Sequence, residues 1–163
     1  MGGRLRFYKM KPKFINAYMD VAERFSKLST AKRLQVGAIV VKDDRIISIG
    51  YNGMPSGWSN DCENEVIEIS KEGMDNPGLN SIKRLVTKQE VLHAESNAIA
   101  KLARSSESGE GATIFVTHQP CMECAKLIYQ SGIQGVYYSK EYRLTDGLTF
   151  LRKSGVNVIR VED

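Results

Sequence analysis

Residues 93–124 read HAESNAIAKLARSSESGEGATIFVTHQPCMEC, and the fold is decided in this stretch. Residues 94–104 carry Ala98, Ile99 and Leu102 at helical spacing. Residues 105–111 form a polar Gly/Ser loop, 112–117 alternate like a strand, and 121–130 predict a second helix stopped by Ser131-Gly132. Working outward toward the C-terminus, 134–139 predicts a strand, 145–153 a short helix stopped by Ser154-Gly155, and 156–161 a last strand. Toward the N-terminus, Phe14, Ile15, Tyr18, Val21, Ala22 and Phe25 fall at helical spacing and predict a helix over 12–28. Two strands follow, 34–41 and 45–51, joined at Asp43-Asp44 and so expected to be antiparallel neighbours. Alternating helices and strands predict an α/β fold with a five-stranded mixed sheet flanked by helices, in one domain over 1–163. Between 58 and 92 the signals are weak. This stretch is expected to be an irregular insertion, with short helices at 65–71 and 81–88 and a turn at Asp75-Asn76-Pro77-Gly78.

The 163 residues are 42% hydrophobic and 26% charged, which suits a globular protein with an ordinary core. No apolar run approaches the ~20 residues of a membrane span. The basic start, Met1-Gly2-Gly3-Arg4-Leu5-Arg6, has no apolar segment behind it and does not read as a secretory signal. Two of the three cysteines form a C-x-x-C, so a reducing, cytoplasmic setting is expected rather than a disulfide framework. The net charge of +4 is mild, and Arg4, Arg6, Lys9, Lys11 and Lys13 read as a solvated arm rather than a nucleic-acid surface.

The chemistry lies at the two ends of the opening stretch. Pro120 is expected in the first turn of its helix, where a missing N–H costs nothing. Cys121 and Cys124 are then neighbours on one face, and the positive end of the helix favours their thiolates. His93 and Glu95 would point about 200° apart in mid-helix, so they can share a site only at the mouth of their helix. Two helix N-termini are therefore expected to meet at one metal. Thiolate and imidazole donors suit Zn²⁺, whereas Mg²⁺ and Ca²⁺ want oxygen. Three ligands leave an open position, the mark of a catalytic zinc, which lowers the pKa of a bound water toward ~7. Glu95 is then free to move protons. Of the remaining soft donors, His118 reads as a fourth ligand, a group behind the ligands or, preferably, a pocket-wall residue. Cys62 reads as a buried or loop thiol.

H-x-E followed by P-C-x-x-C is the signature of the zinc-dependent cytidine deaminase superfamily. The loop Gly50-Tyr51-Asn52-Gly53-Met54-Pro55-Ser56-Gly57, the segment 93–99, the segment 124–133 and Gln35-Val36-Gly37-Ala38 narrow the likeness. The chain resembles the deoxycytidylate (dCMP) deaminases from about residue 14 to its end. The resemblance implies a cytidine-deaminase-like α/β/α sandwich and hydrolytic conversion of dCMP to dUMP and ammonia. It implies that His93, Cys121 and Cys124 hold zinc and that Glu95 protonates N3 and then the departing amino group. Asn52, Tyr142, Ser26 and Lys140 are the implied substrate contacts, with Arg143 beside them. The family commonly reads Ser-Lys-Asp-Pro where this chain runs from Ser26-Lys27 into 28–33, so Lys32 or Arg33 stand as substitutes for a phosphate contact. Many family members are hexamers activated by dCTP and inhibited by dTTP, with Mg²⁺ accompanying the effector. Gly53, Met54, Pro55, Ser56 and Gly57 resemble that effector loop, with Asp61 and Glu63 near it. No structural second zinc is expected.

Two other functions share the zinc site. A nucleic-acid base deaminase of the tRNA type would want aromatic residues interleaved with basic ones, which are missing here. A deaminase of free cytidine would not need the 5′-phosphate. The expected partners are therefore a nucleotide and further copies of the chain, with neither nucleic acid nor membrane.

Overall fold

The computed structural model describes residues 10–69 and 81–162. Its centre is a five-stranded sheet in the order β2-β1-β5-β6-β7. The strands are β1 (Gly37–Lys42), β2 (Arg45–Tyr51), β5 (Thr113–His118), β6 (Gly135–Lys140) and β7 (Asn157–Arg160). β2, β1 and β5 pair antiparallel, whereas β5, β6 and β7 run parallel, so the sheet is mixed as expected. Asp43 and Asp44 both take positive φ, 49° and 56°, as a two-residue hairpin turn requires.

Strand alternation divides the core. Ile39, Val41, Phe115 and Tyr137 point to one face, where Met19 and Ala22 of α1 (Pro12–Ser26) cover them. Phe115 and Tyr137 stack there with ring centroids 4.8 Å apart. Ala38, Val40, Ile114, Val116, Val136 and Tyr138 point to the other face. That face is covered by α2 (Ala94–Ala103), α3 (Met122–Gln130) and α4 (Asp146–Lys153). One helix on one side and three on the other make the α/β/α sandwich that the resemblance implies.

The segment 58–92 departs from expectation. The two short helices predicted there are absent: β3 (Glu63–Ile69) and β4 (Ser81–Thr87) form an antiparallel hairpin, with Glu63 opposite Thr87 and Ile69 opposite Ser81. The predicted turn at 75–78 lies outside the described residues. Val66, Ile67, Ile69 and Ile82 are exposed, so both hairpin faces carry apolar and polar side chains together. With neither face wholly buried, the period-2 signal is lost; the run of β-branched residues remained as the cue for strand.

Two glycines set the helices that matter for the site. A Cβ on Gly50 of β2 would collide with the Ala94 carbonyl oxygen and the Ala98 nitrogen, so α2 lies directly against this strand. A Cβ on Gly147 of α4 would collide with the Pro120 carbonyl oxygen and the Cys121 backbone.

Candidate metal centre and active site

Both ligand-bearing helices open toward one point at the edge of the sheet. The C-terminal ends of β2, β5 and β6 and the N-terminal end of β1 share this edge, which follows from their pairing. His93 is the N-cap of α2 and Cys121 the N-cap of α3. Pro120 therefore precedes the cap rather than sitting in the first helical turn, and the helix starts at Met122. Neither N-cap side chain caps its own helix. Instead His93 Nδ1 faces Cys121 Sγ at 3.6 Å and Cys124 Sγ at 3.5 Å. The three donor atoms all lie within 4.8 Å of one another, the one such cluster among the described residues. A tetrahedral zinc with Zn–N about 2.05 Å and Zn–S about 2.3 Å places its ligand atoms roughly 3.5–3.8 Å apart. The donor set and its spacing fit Zn²⁺.

The charges call for a cation. Hydrogen bonds from Cys124 and His93 hold the Cys121 thiol down to about 3, and the resulting thiolate in turn raises His93. Cys124 is pushed up, by its hydrogen bond with Cys121 and by burial, so the pair keeps one proton between two sulfurs. A dication removes that conflict, because both sulfurs can then be anions. Glu95, in the first turn of α2, is 4% exposed and pushed up to about 7, chiefly by burial. A carboxyl with that affinity exchanges protons near neutral pH.

A cavity of about 370 Å³ opens on this cluster. His93, Glu95 and Cys121 line it beside Asn52, His118, Gln119 and Tyr142. Leu34, Val36, Val91 and Ala31 supply apolar wall, while Arg33, Glu63 and Thr87 close another side. Asn52 is buried, and its amide clamps the chain ahead of β1: Oδ1 accepts from Val36 N (2.8 Å) and Nδ2 donates to Leu34 O (2.8 Å). This clamp delays the strand from 34 to 37. Tyr142 is half-exposed, and Gln119 Nε2 donates to the Tyr142 carbonyl (2.8 Å), holding that loop at the cavity.

Other expected site residues lie elsewhere. Ser26 is buried and its hydroxyl donates to Glu23 O (2.7 Å), which leaves no donor for a phosphate. Lys140 pairs with Glu23 (3.4 Å) and is not among the cavity-lining residues. Gly53 bridges to Leu92, Met54 packs against Ala31, Cys62 and Val91, and Gly57 takes φ 85° in open space. Pro55, Ser56 and Asp61 stay outside the cavity, Asp61 accepting from Ser59 Oγ (3.1 Å). Glu63, expected near the effector loop, lines the cavity, and its Oε1 accepts from Lys32 N and Arg33 N at 2.9 and 3.1 Å. Arg33 in turn donates to Thr87 Oγ1 (3.1 Å). Because the hairpin is not legible in the sequence, Thr87 is not singled out there and Glu63 is expected only beside the effector loop, not in the cavity wall; the amide of Gln119 carries no periodic signal at all.

The family model for the cytidine and deoxycytidylate deaminase zinc-binding region matches residues 12–140. The deoxycytidylate deaminase of Mycobacterium phage D29 is 36% identical over 131 residues, 80% of this chain and 98% of the relative. That of Enterobacteria phage T4 is 35% identical, covering 88% of this chain and 87% of the relative. Among solved structures, the dCMP deaminase from cyanophage S-TIM5 in complex with dCMP and dUMP superposes with a TM-score of 0.78. It is 45% identical, with 93% of this chain and 99% of that one covered. A zinc-fitting cluster at two helix mouths, the mixed sheet behind it and these likenesses agree: the chain belongs to the cytidine and deoxycytidylate deaminase family.

Proposed function

We propose that this protein hydrolyses dCMP to dUMP and ammonia, supplying dUMP for thymidylate synthesis in the cytoplasm. The observation that carries the reading is Glu95, buried and held near neutrality, beside the His93–Cys121–Cys124 cluster in a cavity of nucleotide size. His93 Nδ1 and the sulfurs of Cys121 and Cys124 would hold zinc. When bound, zinc supplies Lewis-acid activation of water for attack at C4 of the cytosine.

Glu95 moves the protons. It takes one from the attacking water and delivers it to N3, then carries the hydroxyl proton to the exocyclic amine, which leaves as ammonia. Burial serves both halves, since a carboxyl near 7 accepts and releases with little driving-force penalty. Asn52 keeps one amide N–H and one lone pair beyond its two backbone bonds, enough to contact the nucleotide. Tyr142 and Arg33 both line the cavity and offer the nucleotide a ring and a guanidinium, while the Ser26 hydroxyl is bonded to Glu23 O and Lys140 is paired with Glu23.

Regulation by dCTP and dTTP in a hexamer belongs to the same proposal. Its support is continuity: the Gly53–Gly57 loop leaves the sheet immediately after the cavity residue Asn52. Turnover of dCMP, CMP and deoxycytidine, each with and without dCTP–Mg²⁺, tests both parts. Preference for dCMP, with sigmoidal kinetics made hyperbolic by dCTP, is expected. Equal turnover of deoxycytidine would replace the nucleotide reading by a nucleoside one.

A further inference from the structure

His118 stands at the end of β5 in the cavity wall, and none of the chemistry above uses it. Its surroundings fix where its proton lies. His118 Nδ1 is 3.0 Å from Thr117 Oγ1, and that hydroxyl also accepts from Gly37 N–H at 3.2 Å. Thr117 is fully buried, so its own O–H must find an acceptor inside the protein. Among the hydrogen bonds of the described residues, His118 Nδ1 is the one acceptor it has. The relay therefore runs one way: Gly37 N–H to Thr117 Oγ1, and Thr117 O–H to His118 Nδ1. A ring that accepts at Nδ1 and is neutral carries its hydrogen on Nε2.

Protonation at Nδ1 would turn that end of the relay donor-against-donor. Burial opposes the imidazolium too, and so do Lys140 on β6 and Lys27 after α1, while Glu23 of α1 favours it; together these keep His118 below its ordinary value. Nε2–H has no partner among the described residues. The charges that act on this ring most strongly are Lys140, Glu23 and Lys27, none of which belongs to the His93–Cys121–Cys124 cluster. His118 stands opposite Lys140 in the β5–β6 register, and Arg33 lines the same cavity, so cationic groups flank this part of the wall.

We propose that His118, fixed by Thr117 as the neutral Nε2–H tautomer, is a substrate-positioning residue that donates a hydrogen bond to a 5′-phosphate oxygen of the nucleotide. This rests on the nucleotide-deaminase reading of the same cavity. A donor held by a buried relay keeps its hydrogen-bonding sense across neutral pH, which a freely rotating ring does not.

The protein has only two histidines, so long-range ¹H–¹⁵N correlation spectra of the zinc-loaded chain are assignable by deleting one. Wild type should show His118 neutral and protonated at Nε2 near pH 7. Thr117→Val should redistribute the proton toward Nδ1 or raise the ring's pKa, and Thr117→Ser should restore the wild-type pattern. Inorganic phosphate and dUMP should shift the Nε2–H signal; deoxyuridine should not. His118→Leu should raise KM for dCMP on the order of tenfold or more with kcat nearly kept, as for loss of a hydrogen bond to a charged group. His118→Gln, whose amide N–H can stand near the Nε2–H position, should recover most of that loss. An Nδ1–H tautomer or an imidazolium at pH 7 in the wild type would overturn the proposal. So would a signal indifferent to phosphate and dUMP, and an equal response to deoxyuridine would overturn the assignment to phosphate. If no dCMP were turned over, the function proposed above would fall, while the tautomer and the phosphate titration would still decide this proposal.

Discussion

Glu95 is the residue at which burial and chemistry pull hardest against each other. Its carboxyl is raised from 4.5 to about 7 by loss of water, so the folded chain binds that proton more tightly than the unfolded chain does. The sign follows: in metal-free protein the Glu95 contribution is most favourable below pH 4.5 and is lost as pH rises to about 7. At 1.36 kcal/mol per pKa unit the cost above pH 7 is about 3 kcal/mol. Cys121, Cys124 and His93 titrate too, so the difference between wild type and Glu95→Gln isolates this part. Chemical denaturation of both metal-free proteins from pH 5 to 8 should show Glu95→Gln gaining on wild type as pH rises; a constant gap would remove the buried-carboxyl account. In the zinc-loaded enzyme the same substitution should keep the metal, measured by atomic absorption, and lower kcat by about 10²–10⁴-fold. Turnover at the wild-type rate would take Glu95 out of the proton path.

At the scale of elements, the site depends on how closely α2 and α3 approach the sheet edge. Gly50→Ala forces α2 off β2, because the new methyl meets backbone rather than a movable side chain. The expected loss is about 1–3 kcal/mol by urea melts, with weaker zinc retention, since His93 and Glu95 ride on that helix. Gln119→Leu should leave the fold intact and raise KM, because it frees the Tyr142 loop from its side-chain anchor. The same elements show what a single sequence discloses. α2 and α3 were legible because one face of each is buried against a continuous core, and burial writes the period into the residues; β1, buried on both faces, was legible as an unbroken Val/Ile-rich run. β3 and β4 lack that buried face, and their β-branched runs were misread as helix. The ligand set and Glu95 were legible because metal chemistry restricts residue types. Thr87, Gln119 and the place of Glu63 in the cavity wall were not, because each acts through a hydrogen bond whose partner is distant in sequence: Lys32 and Arg33 for Glu63, Arg33 for Thr87, and Tyr142 for Gln119.

For the molecule as a whole, the cavity wall is assembled from six separate parts of the chain: the 31–36 segment, Asn52 after β2, the hairpin, the mouth of α2, the end of β5 with the mouth of α3, and the loop after β6. A metal that joins α2 to α3 should therefore stabilise more than its own ligands. Stripping zinc should lower Tm, and restoring it should raise Tm in a manner dependent on free zinc, as ligand linkage requires. A Tm indifferent to zinc would mean that the His93–Cys121–Cys124 cluster does not bind it in the folded state. The most direct test of the whole account measures ammonia release from dCMP by the zinc-loaded, metal-stripped and zinc-restored protein. Release of one ammonia per dUMP formed, lost on stripping and regained on restoration, is predicted. Undiminished release by the stripped protein, or none from dCMP by the loaded one, would contradict it.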